Sequence, residues 1–317
     1  MKSAFILGGT GQIGTATAKS LRDAGWEVTT AARNGGDVRI DRKEGLDLPG
    51  EYDALVDCIA FTADDGAQLL GLAGRVGSLV VVSSASVYAD DDGWTLDEAG
   101  DNGFPEFPDP IPETQRTIEP GDANYSTRKR ALELALLEQD AVPATIVRPC
   151  AIHGPHSKSH VREWYFVKRA DDRRPFVLLA HNGDSRFHTT STPNLAELIR
   201  LACEQPGSRA FNGGDPDPPT TAEISRTIAE LTGHERIEYL LPDAPEAARN
   251  PWAVPRPLVV SMEAAERELG YRPVTTYPEA VSDTVAWLLD ERPPLDEYMA
   301  TMFDYEAEDE FVRTLKK

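Results

Sequence analysis

The chain has 317 residues, 40% of them hydrophobic and 27% charged, with a formal charge of −21 at pH 7. That length and composition fit a globular chain able to bury a sizeable core in one large or two smaller domains. The acidic balance and the lack of any basic run argue against nucleic acid as a partner, because a phosphate backbone rewards clustered Lys and Arg.

From the start, short apolar runs alternate with helical stretches. "SAFILGG" reads as a strand, "IGTATAKSLRDAG" as a helix and "WEVTTAAR" as a second strand. "AFIL" stops after four residues, too short for the apolar region of a signal peptide. "YDALVDCIA" (strand), "GAQLLGLAGRVG" (helix), "SLVVVSSASVY" (strand), "NYSTRKRALELALLEQ" (helix) and "ATIVRPCAI" (strand) follow. Continuous apolar strands alternating with helices predict a parallel sheet covered on both faces: a Rossmann-type, doubly wound α/β fold. The expected organisation is a dinucleotide-binding domain over residues 1–152 and a smaller C-terminal α/β substrate-binding domain over 153–317, some of whose segments return to the first.

Residues 89–123 interrupt the first domain with an acidic stretch rich in Pro and Gly, which reads equally as a functional flap or a disordered excursion. Beyond Ile152 the alternation becomes irregular. "VREWYFVKRADDRRPFVLL" reads as helix then strand, with Trp164, Tyr165 and Phe166 in core or pocket wall. "TTAEISRTIAELTGH" is a helix capped by Thr220 or Thr221, "SMEAAERELGYRP" a helix stopped by Gly270 and Pro273, and "YPEAVSDTVAWLLD" the last clear helix. No apolar run approaches the ~18 residues of a membrane span. Cys58, Cys150 and Cys203 are odd in number and lack metal-type spacing, so a reducing cytoplasm is the expected location.

"GGTGQIG" follows the first strand and opens the first helix. Its glycines permit a tight turn and let backbone N–H groups approach a pyrophosphate at a helix N-terminus. Gly8, Gly11, Gln12, Ile13 and Gly14 are therefore expected to hold a dinucleotide. An NAD site usually has an acid at the end of the second strand, but here the strand ends Ala31-Ala32-Arg33. The space left by Ala32 and the planar fork of Arg33 suit a 2′-phosphate, so NADP(H) is favoured, with NAD(H) as the other candidate. Asp41 fits either the adenine amino group or a turn.

Tyr125 and Lys129 are four apart on one helix face. The order of the Gly turn, "SSASVYA", "YSTRK", "RPCAIHGP", "RFHTT" and "ELGYRP" resembles the extended short-chain dehydrogenase/reductase superfamily, which holds sugar epimerases, dehydratases and related reductases. The resemblance covers most of the chain. It implies that Tyr125 is the general acid/base, that Lys129 lowers the phenol pKa and holds the ribose, and that Ser84 orients the substrate oxygen. It also implies that Ala60 lies by the cofactor, and that the protein pairs as a homodimer through the Tyr/Lys helix.

Departures from the family narrow the reaction. Ala85-Ser86 follow Ser84 where 4,6-dehydratases carry an acidic pair, and Cys150-Ala151 stand where nucleotide-sugar enzymes often have Asn. Arg186 matches the family's diphosphate-binding arginine, or else pairs with an internal carboxylate. Ser84, Ser86, His156 and Arg186 are the expected substrate contacts, with His156 or Lys158 near an anionic group. His153, His156 and His160 are not read as a metal site, since Gly154-Pro155 interrupts them and no local acid or Cys completes a ligand set. The expectation is an NADP(H)-dependent oxidoreductase acting on the carbonyl or alcohol of a small polar metabolite, with sugar-derived ones among the candidates. The alternatives are an epimerase holding NAD tightly and a non-catalytic dinucleotide sensor.

Overall fold

The computed structural model describes residues 1–157 and 162–315. Eleven strands are described: β1 (Ser3–Leu7), β2 (Glu27–Ala32), β3 (Val38–Arg39), β4 (Ala54–Asp57), β5 (Leu79–Val82), β6 (Ala144–Pro149), β7 (Ala151–His153), β8 (Phe176–Leu179), β9 (Thr189–Ser191), β10 (Arg209–Gly213) and β11 (Ile237–Leu240). Seven form one parallel sheet in the order β10-β6-β5-β4-β1-β2-β3.

The side-chain period of two builds a core on each face of this sheet. Ala4 and Ile6 pack with Leu21 of the helix Gln12–Asp23 and with Leu195, Leu198 and Ile199 of the helix Thr192–Glu204. Phe5 and Leu7 face the other way, onto Leu69, Leu132 and Leu136 of the helices Ala63–Leu70 and Tyr125–Leu137. The strand order reverses between β1 and β4, and ligands of such sheets bind beyond the carboxyl ends at that reversal.

The link from β2 to β3 has no helix. Gly35 and Gly36, at φ 75° and 82°, turn Arg33–Asp37 straight back, and the Asp37 carboxylate secures the turn by accepting from the Thr30 N–H and hydroxyl, each at 2.8 Å. At the opposite edge, the helix Thr192–Glu204 and β10 return to the main sheet.

The rest of the C-terminal half forms two small parallel pairs, β8 with β11 and β7 with β9. Its own core contains Trp164, Tyr165, Phe166, Val177, Trp252, Tyr277 and Val281, with Trp287 packed against it. Thr220 caps the helix Thr221–Thr232 in a reciprocal pair with Glu223, and Gly270 ends the helix Glu263–Leu269 in the left-handed conformation. The tail folds as the helix Tyr305–Leu315, anchored by Glu308 to Arg169 and Arg174. No described helix is long and apolar enough to cross a membrane.

Residues 89–123 are ordered by their own carboxylates. Asp90 accepts from the N–H groups of Asp92, Trp94 and Glu106, and Glu98 from Thr95 and Asn124. Asp97 accepts from the Ser126 N–H at 2.9 Å, which ties the segment to the first turn of the Tyr125–Leu137 helix.

That helix is fixed at its other end by a buried pair. Glu133, fully buried, takes both forks of Arg148 on β6 at 2.9 and 2.7 Å, while Arg148 also donates to the Tyr88 hydroxyl. Tyr88 in turn donates to Asn212 on β10. Removing one partner leaves an uncompensated buried charge, which typically costs about 3–5 kcal/mol. Glu133→Ala should lose about that much in urea unfolding, whereas Glu138→Ala, on the exposed end of the same segment, should change stability by less than about 0.5 kcal/mol.

Candidate active site

At the end of β1, Gly8 adopts φ 79° and its N–H donates to the Ala31 carbonyl. A Cβ on Gly14 would sit 2.3 Å from the Gly8 carbonyl oxygen, and one on Gly9 would sit 2.6 Å from the Thr30 Cβ. The turn therefore requires glycine at both positions and leaves a bare backbone surface at the start of the helix Gln12–Asp23. Gly11 opens that helix, the Ile13 side chain turns into the core, and the Gln12 Oε1 is buried without a hydrogen-bond partner where it faces the cleft. This is the shape and donor arrangement that a pyrophosphate fills.

Arg33 is exposed on the rim directly after β2, in the loop whose Gly35 packs towards Thr10 of the phosphate turn. Asp41 does not point to an open site: its carboxylate accepts from the Lys43 N–H and caps the turn Arg42–Glu44. The second support of the crevice is Asp57, at the end of β4. Fully buried, it pairs with Arg42 and accepts from the N–H groups of Ile59 and Ala60, each at 2.8 Å. The chain turns there so that the Ala60 carbonyl faces Lys129.

Lys129 is buried and donates to the carbonyls of Ala60 (2.8 Å) and Val82 (3.0 Å). An ammonium has three donors, so one remains. Burial pushes Lys129 down to about 8, against the opposing pull of Asp57, Glu133 and Asp65. Tyr125 lies one turn earlier, retains 44% of its surface and hydrogen-bonds Ser84; the ammonium lies 6.0 Å from its ring centroid.

The resemblance implied a phenol lowered by Lys129. The geometry differs: burial moves the Tyr125 phenol up, the Ser84 hydrogen bond opposes this, and the Asp97 carboxylate adds to it. The ammonium spends two donors on backbone carbonyls instead of the phenol.

Ser84 lies two residues beyond β5 and caps the turn Ala85–Val87, accepting from the Ser86 N–H at 3.1 Å. Gln12, Ser84, Ser86, Leu96, Asp97 and Tyr125 line one part of a cleft of about 570 Å³; Cys150, Arg162, Phe187, Leu258 and Tyr298 line the rest. The buried hydroxyls of Ser83 and Ser86 lack hydrogen-bond partners. The segment 89–123 thus contributes Leu96 and Asp97 to the wall.

Two expected substrate contacts lie elsewhere. Arg186 is taken by Asp109 of the 89–123 segment in an ion pair and does not line the cleft. His156 is exposed, also off the cleft, at φ 66°. His153 is buried against Asp215 at 2.9 Å and Thr284 at 3.3 Å, while Lys158 and His160 lie outside the described residues. No cluster of three His, Cys, Asp or Glu side chains that could hold a metal occurs among the described residues. Asp57, Asp97 and Arg162 carry no motif, and sequence reading passed over them.

The depressed Lys129 value sets a pH test. The ordinary lysine value is 10.5, so between about 8 and 10.5 the unfolded chain holds this proton and the folded chain does not, and stability rises with pH across that window. Below pH 8 the buried charge costs about 3 kcal/mol. In Lys129→Met this contribution is absent, so the stability of the variant relative to wild type should fall by about 3 kcal/mol between pH 8 and 10.5 in urea titrations. A constant difference would contradict the burial of a charged ammonium.

No protein-family profile and no curated protein matches the sequence. Solved structures do match in fold. An epimerase from Methanothermobacter thermautotrophicus superposes with TM-score 0.68 at 18% identity, covering 92% of this chain and 93% of that one. A UDP-glucose 4-epimerase from Thermotoga maritima, solved with UDP-glucose, gives 0.65 at 16% identity, covering 92% and 100%. A dTDP-glucose 4,6-dehydratase from Bacillus anthracis, solved with NAD, gives 0.65 at 17% identity, covering 92% and 97%. The chain therefore shares the Rossmann-type α/β fold of these epimerase and dehydratase structures.

Proposed function

We propose that the protein is an NADP(H)-dependent oxidoreductase that interconverts a carbonyl and an alcohol on a small polar substrate. The observation that carries this reading is the meeting of Gln12 of the glycine turn with Ser84 and Tyr125 on one cleft, with Lys129 buried behind it one turn beyond Tyr125. The bare turn at Gly8–Gly14 fits a pyrophosphate, and Lys129 has a donor to spare for a ribose hydroxyl. Arg33, on the rim where an NAD enzyme would carry an acid, favours the 2′-phosphate; NAD in the fold relatives keeps NAD(H) as the competing cofactor.

The bound dinucleotide supplies a hydride to the substrate carbon or takes one from it. The chain's own residues handle the oxygen. Ser84 donates to the substrate oxygen and holds it against the phenol. In reduction the Tyr125 hydroxyl gives its proton to that oxygen, completing the alcohol, and the phenolate left behind regains a proton from solvent, which reaches the half-exposed ring. In oxidation the proton returns. A phenol held up by burial favours the protonated form that reduction requires.

A second reading, a nucleotide-sugar epimerase that returns the hydride to the same substrate, draws on the identities of the fold relatives. The occupation of Arg186 by Asp109 and the absence of Asn at Cys150-Ala151 weigh against a diphosphate there. A homodimer through the Tyr125–Leu137 helix would suit either reading.

Tyr125→Phe removes the proton donor and leaves the turn intact. Turnover of carbonyl substrates with NADPH should fall at least a thousandfold, while NADPH affinity by fluorescence titration stays within about threefold. Surviving activity would refute the mechanism. Arg33→Ala should weaken NADPH at least tenfold and NADH by less than about twofold.

A further inference from the structure

The cleft is asymmetric. Ser84, Tyr125 and Asp97 cluster in one part of it; in the other, Arg162 lies with its guanidinium 3.8 Å from the Phe187 ring centroid and 5.7 Å from that of Trp252, and donates to the Pro251 carbonyl. The aromatic rings hold the guanidinium, and its one hydrogen bond to a described residue leaves most of its five donors for other partners.

The buried guanidiniums of Arg148 and Arg169 each close on a carboxylate, Glu133 and Glu308. Arg162 has no such ion pair among the described residues. Its neighbour Glu163 is itself buried, with one carboxyl oxygen unpartnered, and burial pushes that carboxyl up towards its neutral form. Arg162 is half-buried, and although Glu163 acts on it through its field, no described carboxylate takes its donors by hydrogen bond, so they are open to an anion.

We propose that Arg162 is the anion-recognition end of the cleft, taking the carboxylate of a small oxo or hydroxy acid whose reacting oxygen sits at Ser84 and Tyr125. This rests on the redox reading of the same cleft. A carboxylate fits better than a phosphate, because no second cation lines the cleft among the described residues and the Asp97 carboxylate stands in it. The planar fork then meets a planar monoanion with two parallel hydrogen bonds.

Two readouts separate this proposal from the redox reading. Saturation-transfer NMR with glutarate, dimethyl glutarate and inorganic phosphate, on the protein with and without NADP⁺, measures anion binding without turnover. Glutarate should bind wild type, Arg162→Lys should bind it more weakly, and Arg162→Met should lose it at least tenfold while keeping wild-type NADPH affinity as a check on folding. In turnover, ω-oxo acids of three to six carbons should exceed their methyl esters at least a hundredfold in kcat/KM, and Arg162→Met should reduce that preference to under about threefold through KM.

Glutarate binding that survives Arg162→Met, or equal turnover of acid and ester by wild type, would overturn the proposal. Phosphate displacing glutarate at a tenfold lower concentration would overturn the choice of carboxylate. Failure of NADPH binding, or an active Tyr125→Phe, would instead sink the redox reading, and the glutarate measurement without nucleotide would still decide Arg162.

Discussion

The Glu133–Arg148 pair is the contact on which the site depends. It joins the helix bearing Tyr125 and Lys129 to β6, the second strand of the parallel sheet, and through Tyr88 and Asn212 it reaches the edge strand β10. Because Glu133 is one turn beyond Lys129, the pair also sets the depth at which the ammonium is buried. It places a negative charge near Lys129 that partly offsets desolvation. Asp57 and Arg42 do the corresponding work at β4, shaping the turn whose carbonyl receives Lys129. Two buried ion pairs thus position one buried cation at the strand-order reversal, where a parallel sheet offers its ligand crevice.

The acidic segment 89–123 uses charge for a different purpose. A run so rich in Asp, Glu, Pro and Gly has few apolar residues, and its carboxylates add to the packing of Ile111, Leu96, Phe104 and Phe107 by accepting from backbone N–H groups and, at Asp109, by closing on Arg186. The consequence for the site is twofold: Leu96 and Asp97 line the cleft with Tyr125, and Arg186 is held in an ion pair away from it. Among the described residues that line the cleft, Arg162 is the one cation.

Much of the fold was legible because strand and helix periods are local. The apolar runs of β1, β4, β5 and β6 announce a doubly covered parallel sheet, and the glycine turn announces its crevice. What escaped was non-local or short. β3 has two residues, too few for a period. The helix Thr192–Glu204 and β10 follow the crossover to the C-terminal half, where chain order no longer tracks spatial order. Glu133 and Arg148 are joined by packing of a helix on a strand, and nothing in their spacing marks them.

At the site, Ser84, Tyr125 and Lys129 were readable as a set, whereas Arg186 and His156 were assigned from motif position and are placed by the structure away from the cleft. Asp41 illustrates the same limit, since a carboxylate after a short strand serves a turn as readily as a ligand. Arg162 opens a stretch read only as a helix, and what distinguishes it is its place over the Phe187 ring without a carboxylate partner among the described residues.

The most direct measurement is the identity, redox state and stoichiometry of any nucleotide released when the purified protein is denatured, followed by NADPH and NADH titration of whatever is empty. Sub-stoichiometric nucleotide with a clear preference for NADPH is the expected result for an exchangeable-cofactor oxidoreductase with Arg33 on its 2′-phosphate. Near-unit NAD⁺ that does not exchange would contradict it, and would point instead to a hydride that never leaves the enzyme.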